Sequence, residues 1–183
     1  MKRALYILIF VAQFFMTTKS FSESIFQDNF NNQAEWEFIT DNVMGGKSTG
    51  QIAYMPNDAG VIAVMSGNVT TENNGGFIQI RRKFKDISLN GATHIKILAK
   101  GNNQKYFIHL RTRGTILPWQ YYQIGFEVED QYKEYILPIQ KFERSGSFLS
   151  KEIDANSIKS VGIVAFGRDH SAEIHIKEIS FVE

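Results

Sequence analysis

Apolar and polar residues alternate with a period of two through most of the chain, in short runs separated by Gly, Asn and Asp clusters. Successive side chains of an extended strand point to opposite faces, so this pattern predicts half-buried β-strands. The runs fall near residues 25–30, 36–40, 47–55, 60–67, 76–84, 92–99, 105–112, 119–128, 132–137, 160–167 and 172–182. Residues 142–150 read as a loop, and the helical period surfaces only at Asp154–Ile158, one turn at most. Many short strands with Gly-rich turns predict an all-β, two-layer body of the sandwich or jelly-roll class. No repeat or linker points to a second domain.

Three of these runs split into faces that agree. Ile78, Ile80 and Phe84 oppose Phe77, Gln79, Arg81 and Lys83; Tyr106, Ile108 and Leu110 oppose Phe107, His109 and Arg111; Tyr122, Ile124 and Phe126 oppose Tyr121, Gln123 and Glu127. If the three strands share one sheet, their second faces join into a surface of aromatic rings, two Arg, a His and two Gln. Rings stack on sugars or peptides and forked donors fix hydroxyls or carboxylates, so Gln79, Arg81, His109, Arg111, Tyr121 and Gln123 are candidate ligand or partner contacts. A solvated sheet face with ordinary cross-strand pairs is the competing explanation.

The stretch from Trp36 to Gly50, WEFITDNVMGGKSTG, concentrates turn chemistry. A strand ends at Asp41-Asn42, Gly45-Gly46 forms a hinge, and a second strand begins at Lys47. Asp41 is a candidate contact for a ligand or cation at the rim, or a turn residue whose oxygens accept backbone N–H bonds; the second is favoured. Met44 is a plug into the core or a soft contact for a partner, with the plug preferred. Trp36 is expected in the core and Trp119 as a loop anchor. Gly46-Lys47-Ser48 matches the end of a phosphate-binding loop, but Asp41 stands where that motif needs glycine and no helix follows, which argues against a nucleotide.

The core Asp41-Asn-Val-Met-Gly-Gly46, with Ser48 and Gly50 after it and Trp36 before it, resembles the signature of the complex I intermediate-associated protein 30 family. Gly75-Gly76-Phe77 with Arg81, Tyr106 with Leu110-Arg111-Thr112, Tyr122-Gln123, Leu137-Pro138 with Phe142, and Ile158 to Ile163 extend the resemblance over nearly all of the chain after residue 25. It implies a jelly-roll sandwich similar to galactose-binding domains, no known catalytic residues and, for mitochondrial members, a role in assembling respiratory complex I. Other members resemble fusions to nucleotide-binding domains, yet this chain has no G-x-G-x-x-G.

The first residues alter the expected compartment. Met1-Lys2-Arg3, the apolar run Ala4–Met16 and the small residues Ser20 and Ser22 have the make-up of a secretory signal peptide over residues 1–22, followed by one domain over 23–183. The run is shorter than the roughly 20 residues of a bilayer span, so membrane association is expected only through an uncleaved segment. Export would place the chain in the periplasm or outside the cell, away from the matrix where mitochondrial relatives work. Loss of Lys2, Arg3 and Lys19 leaves 17 basic against 19 acidic residues, which argues against nucleic acid. With no cysteine, packing must replace disulfides, and fifteen Phe, seven Tyr and two Trp supply it.

Enzymatic features are weak. The four histidines, His94, His109, His170 and His175, stand apart without metal-ligand spacing, and no G-x-S-x-G occurs. Glu127, Glu129 and Asp130 form the one acidic cluster from which paired carboxylates could come. No catalytic residue, metal or cofactor is expected. The sequence therefore points to a non-enzymatic binding module for a protein partner, in an assembly or chaperone-like role, with a carbohydrate-binding module as the alternative and a glycoside-acting enzyme behind both.

Overall fold

The period-two runs become β-strands in the computed structural model, which describes residues 23–57 and 60–183. The segment read as a signal peptide lies outside the described residues. Among the described residues the strands are β1 (Ser24–Asp28), β2 (Trp36–Thr40), β3 (Thr49–Asn57), β4 (Gly60–Val69), β5 (Phe77–Lys83), β6 (His94–Gly101), β7 (Gln104–Thr112), β8 (Tyr122–Val128), β9 (Lys133–Pro138), β10 (Glu143–Arg144), β11 (Ile158–Phe166) and β12 (His170–Val182). The expected loop at 142–150 contains the two-residue β10, too short to leave a periodic signal. The single helical turn expected near residue 155 is a 3-10 turn at Ala155–Ser157.

The strands form two six-stranded antiparallel sheets, a jelly-roll sandwich. The first has the order β3-β4-β12-β6-β9, with β1 beside the end of β12 that β4 does not reach. Pro56 is accommodated because β3 is an edge strand, where a missing N–H costs no ladder bond. The second sheet runs β10-β8-β7-β11-β5-β2. Both late strands, β11 and β12, insert between strands formed much earlier in the chain, so each sheet is closed by long-range pairing.

Alternation directs one face of each sheet inward. Ile78, Ile80, Tyr106, Ile108, Leu110 and Ile163 of the second sheet meet Met65, Ile95, Ile97, Ile174, Ile176 and Phe181 of the first, all buried. Phe26, Phe84 and Phe181 pack edge to face at 5.1–6.1 Å between centroids, and Phe30 lies 4.9 Å from Trp36, so Trp36 is a core residue as expected. Such pairs add to the apolar area they bury. Arg82 also points inward, where Asp28 accepts from its guanidinium, from Trp36 Nε1 at 2.8 Å and from the Phe30 N–H at 2.7 Å. The further bonds of Asp28 and the stacking of Arg82 over Phe26 at 4.9 Å offset the desolvation of this buried ion pair.

A second buried carboxylate fixes the turn between β2 and β3. Asp41 is fully buried, and its Oδ1 accepts the Ser48 N–H at 2.9 Å. Its Oδ2 accepts from Ser48 Oγ at 2.5 Å, the Gly76 N–H at 2.5 Å and the Phe77 N–H at 3.2 Å. The surrounding glycines are the space this requires: a Cβ on Gly46 would lie 2.3 Å from the Asp41 carboxyl carbon, and one on Gly75 would lie 2.4 Å from Oδ2. Gly45 takes φ +91°, a left-handed conformation that glycine adopts without strain. Asp41 is thus the turn-building carboxylate, and Ser48, the residue that suggested a phosphate loop, is its buried partner leading into a strand. Met44 departs from expectation. It is 61% exposed, because the short 3-10 turn at Asp41–Met44 spends its inward direction on Asp41.

Burial pushes the Asp41 pKa up, but the Ser48 hydroxyl and the N–H groups of Gly76, Ser48 and Phe77 outweigh it and hold the carboxyl below its ordinary value. Because the folded pKa is depressed, the stabilisation is complete above the ordinary carboxylate range and is lost as pH falls through the folded value. Asp41→Asn, which turns an acceptor into a donor facing N–H groups, is expected to cost about 3 kcal/mol in urea denaturation at neutral pH. Its stability should also fall less steeply below about pH 4 than that of the parent. An unchanged midpoint at neutral pH would show that the carboxylate does not hold the turn.

Candidate functional site

The outward face of the second sheet carries the polar and aromatic residues singled out by alternation, in an order the sequence did not show. β11 lies between β5 and β7, so one cross-strand row runs Glu37, Arg81, Gly162, His109, Gln123 and Glu143. Gly162 places no side chain between Arg81 and His109. The result is a depression of about 70 Å³ lined by Gln79, Arg81, His109, Arg111 and Tyr121 around Gly162 and Ser160. A Cβ on Gly162 would lie 2.9 Å from Gln79 Oε1, the end of a flexible side chain, so the opening is space a larger residue could occupy.

An aromatic cluster forms one side. The His109 and Tyr121 rings stack at 4.1 Å with 9° between planes, and Phe166 sets its edge against both at 5.5 and 6.3 Å. Phe107 packs edge to face on Phe166 at 5.8 Å. Burial lowers the His109 pKa to about 4, against a smaller upward pull from the Gln123 carboxamide, so the imidazole is neutral at physiological pH. Its Nε2 is buried without a protein partner among the described residues, as are Arg81 Nε and Gln123 Oε1. These atoms are sealed beneath the face, as are Tyr54 Oη, Arg82 Nε, Tyr132 Oη and His170 Nε2 elsewhere among the described residues, so they record tight packing of the row, and the depression itself is the candidate site.

The two arginines divide their work. Arg81 gives one amino group to Glu37 at 3.0 Å and keeps Nε unpaired. Arg111 is already engaged: it donates to the carbonyls of Leu117 at 2.9 Å, Pro118 at 3.0 Å and Thr115 at 3.5 Å. Its guanidinium clamps the β7–β8 loop against the rim, so it contributes positive charge more than free donors. Burial and the charge of Arg81 both lower its pKa.

Of the residues predicted from sequence, Gln79, Arg81, His109, Arg111 and Tyr121 line the depression and Gln123 adjoins it on the His109 row. Asp41, Met44, Gly45 and Gly46 belong to the β2–β3 turn and do not line it. Sequence reasoning missed Ser160, Gly162 and Phe166, whose own alternation was readable but whose place between β5 and β7 was not. It also missed the exposed apolar residues of two neighbouring loops. Trp119, expected to anchor its loop, is 65% exposed, beside Ile116 at 84% on the same loop, and Phe148 is 95% exposed. Ser145 Oγ joins the two loops, donating to Trp119 O at 3.1 Å and accepting the Tyr121 N–H at 3.0 Å. The acidic cluster offers no paired carboxylates poised for chemistry: Glu129 is held by Lys133 at 2.5 Å and the cluster is exposed.

Solved structures share this fold. The family 11 carbohydrate-binding module of the cellulosomal cellulase Lic26A-Cel5E of Clostridium thermocellum superimposes with a TM-score of 0.69 at 14% identity, covering 88% of this chain and 94% of the module. A second structure of the family 11 module from Clostridium thermocellum, in complex with a β-1,3-1,4-mixed-linked tetrasaccharide, gives a TM-score of 0.68 at 14% identity, covering 85% and 92%. The CBM28 module, described as specific for non-crystalline cellulose, gives 0.54 at 8% identity, covering 84% and 91%. At these identities the likeness establishes the jelly-roll architecture. No curated protein matches the chain. The family model described as Complex I intermediate-associated protein 30 matches residues 24–176, from β1 into β12, and the chain belongs to that family.

Proposed function

We propose that this protein is a non-enzymatic binding module that holds a glycan on the outward face of its second sheet. The observation that carries the proposal is the depression over Gly162, walled by Gln79, Arg81 and Ser160 on one side and by the stacked His109–Tyr121 pair on the other. Sugars present hydroxyls that both donate and accept, next to apolar C–H faces that pack on rings, and this face offers both kinds of complement. The family 11 module, of the same fold, is seen with a mixed-linkage tetrasaccharide, which makes a glycan the natural first probe. The first 22 residues support export of the chain to a compartment where such polymers occur.

A protein partner in an assembly role is the second reading, and the exposed Ile116, Trp119 and Phe148 favour it. Such rings are typical anchors of protein interfaces, and the family takes its description from an assembly intermediate. Affinity electrophoresis through gels containing mixed-linkage glucan, xylan, pectin or alginate separates the two. Retardation by at least one polymer, lost in Gly162→Val, supports the glycan site. Free mobility in every gel, together with cross-linking of a protein through position 119, would replace it with the protein reading.

Two measurements probe the face itself. Gly162→Val fills the depression with a strand-forming residue and displaces only the Gln79 side chain, so its stability is expected within about 1 kcal/mol of the parent while affinity is lost. NMR titration should place the His109 imidazole at about 4. A histidine depressed in the folded state stabilises fully above its unfolded value of 6.5 and loses that contribution as pH falls toward 4. A His109 titration near 6.5 would mean that the ring is solvated and the depression open to water.

A further inference from the structure

We infer that the depression receives a carboxylate carried on the glycan, so that the preferred ligand contains uronic acid residues; the inference rests on the glycan reading and narrows it. Two guanidinium groups line the depression, and among the described residues no acidic side chain does. Glu37 stands at the β2 edge, where Arg81 and Lys83 reach it at 3.0 and 3.9 Å. Glu143 stands at the opposite edge beyond Gln123. Between those edges the row holds only Arg81, a glycine, a neutral imidazole and a carboxamide.

Like charges brought together at a partly desolvated spot repel unless a counter-charge intervenes. The fold nevertheless fixes both. Arg111 is held by three loop carbonyls and Arg81 by Glu37, so neither is free to swing into water. Arg81 brings a guanidinium to the lining, and a charged N–H donor is what a carboxylate oxygen requires. Ser160, also on the lining, adds a hydroxyl that can donate.

Size discriminates further. The depression is small, about 70 Å³, and open on the sheet face, so a substituent of a sugar ring can enter it while the ring lies over the face. A carboxylate has the size, the charge and the acceptor geometry for that position. A neutral hydroxymethyl group would fill the space without adding a counter-charge beside the two guanidinium groups.

The test compares polygalacturonate oligosaccharides with their methyl esters, and with neutral mixed-linkage glucan oligosaccharides, by isothermal titration calorimetry on the parent protein. Esterification keeps the shape and removes the charge, so the acid form is expected to bind at least about ten-fold more tightly, the scale of one charge-assisted hydrogen bond. Its affinity should fall as salt is raised. In Arg81→Met the acid form should drop to the level of the ester, with circular dichroism confirming the fold. Equal binding of acid and ester, or preference for the neutral glucan, overturns the carboxylate assignment and leaves the glycan module standing. If no oligosaccharide binds and a peptide or protein carboxylate competes for Arg81, both the assignment and the glycan reading fall.

Discussion

A single buried carboxylate decides where the second sheet begins. Asp41 gathers donors from Ser48, Gly76 and Phe77, two segments that the chain visits some 30 residues apart, and joins them without help from hydrophobic packing. The glycines around it are consequences of that choice. Gly46 and Gly75 approach so closely that a side chain on either would occupy the carboxylate's own volume. The Asp-Asn-Val-Met-Gly-Gly motif that marks the family is thus a folding device: it spends its polar group inward, where water cannot compete for it.

The ligand face depends on omission more than on addition. β11 is the central strand of its neighbourhood, buried on both sides, and on its outward side it offers Ser160, Gly162 and Val164. With those residues small, the longer side chains of β5 and β7 stand up as walls, and Arg81 and His109 face each other across a glycine. Gly125 repeats the device beside Phe107 on β8. The half-buried rings of His109, Tyr121 and Phe166 then bound the opening on one side, so polar and apolar surfaces meet there.

Strand positions and faces were legible because the sequence obeys a period of two wherever one side of a sheet is dry. Gln79, Arg81, His109, Arg111 and Tyr121 were identified by that rule alone. Their neighbours could not be, since β11 pairs with β5 and β7 across long sequence separations and alternation carries no information about strand order. Nor does a residue's type reveal where its bonds go. Arg111 reads like Arg81 in sequence, yet its guanidinium is consumed by the Leu117 and Pro118 carbonyls. Met44 reads like a core residue, but the tight turn that buries Asp41 leaves it outside.

The turn and the face are coupled through β5 and β2. Phe77, at the start of β5, donates to Asp41, and four residues on Arg81 lines the depression. β2 ends at Thr40, next to Asp41, and pairs with β5 so that Glu37 stands opposite Arg81. β2 is a five-residue edge strand whose register is pinned at one end by Trp36, buried and bonded to Asp28, and at the other by Asp41. A slip by one position would turn Glu37 inward and Phe38 outward, because side chains alternate. The buried carboxylate at one end of the ladder and the buried Trp36 at the other both oppose it, and so keep Glu37 on the amino group of Arg81. The turn therefore helps to secure the geometry of Arg81 without dictating the rest of the depression, which is set by Gly162 on β11, His109 on β7 and Tyr121 just before β8.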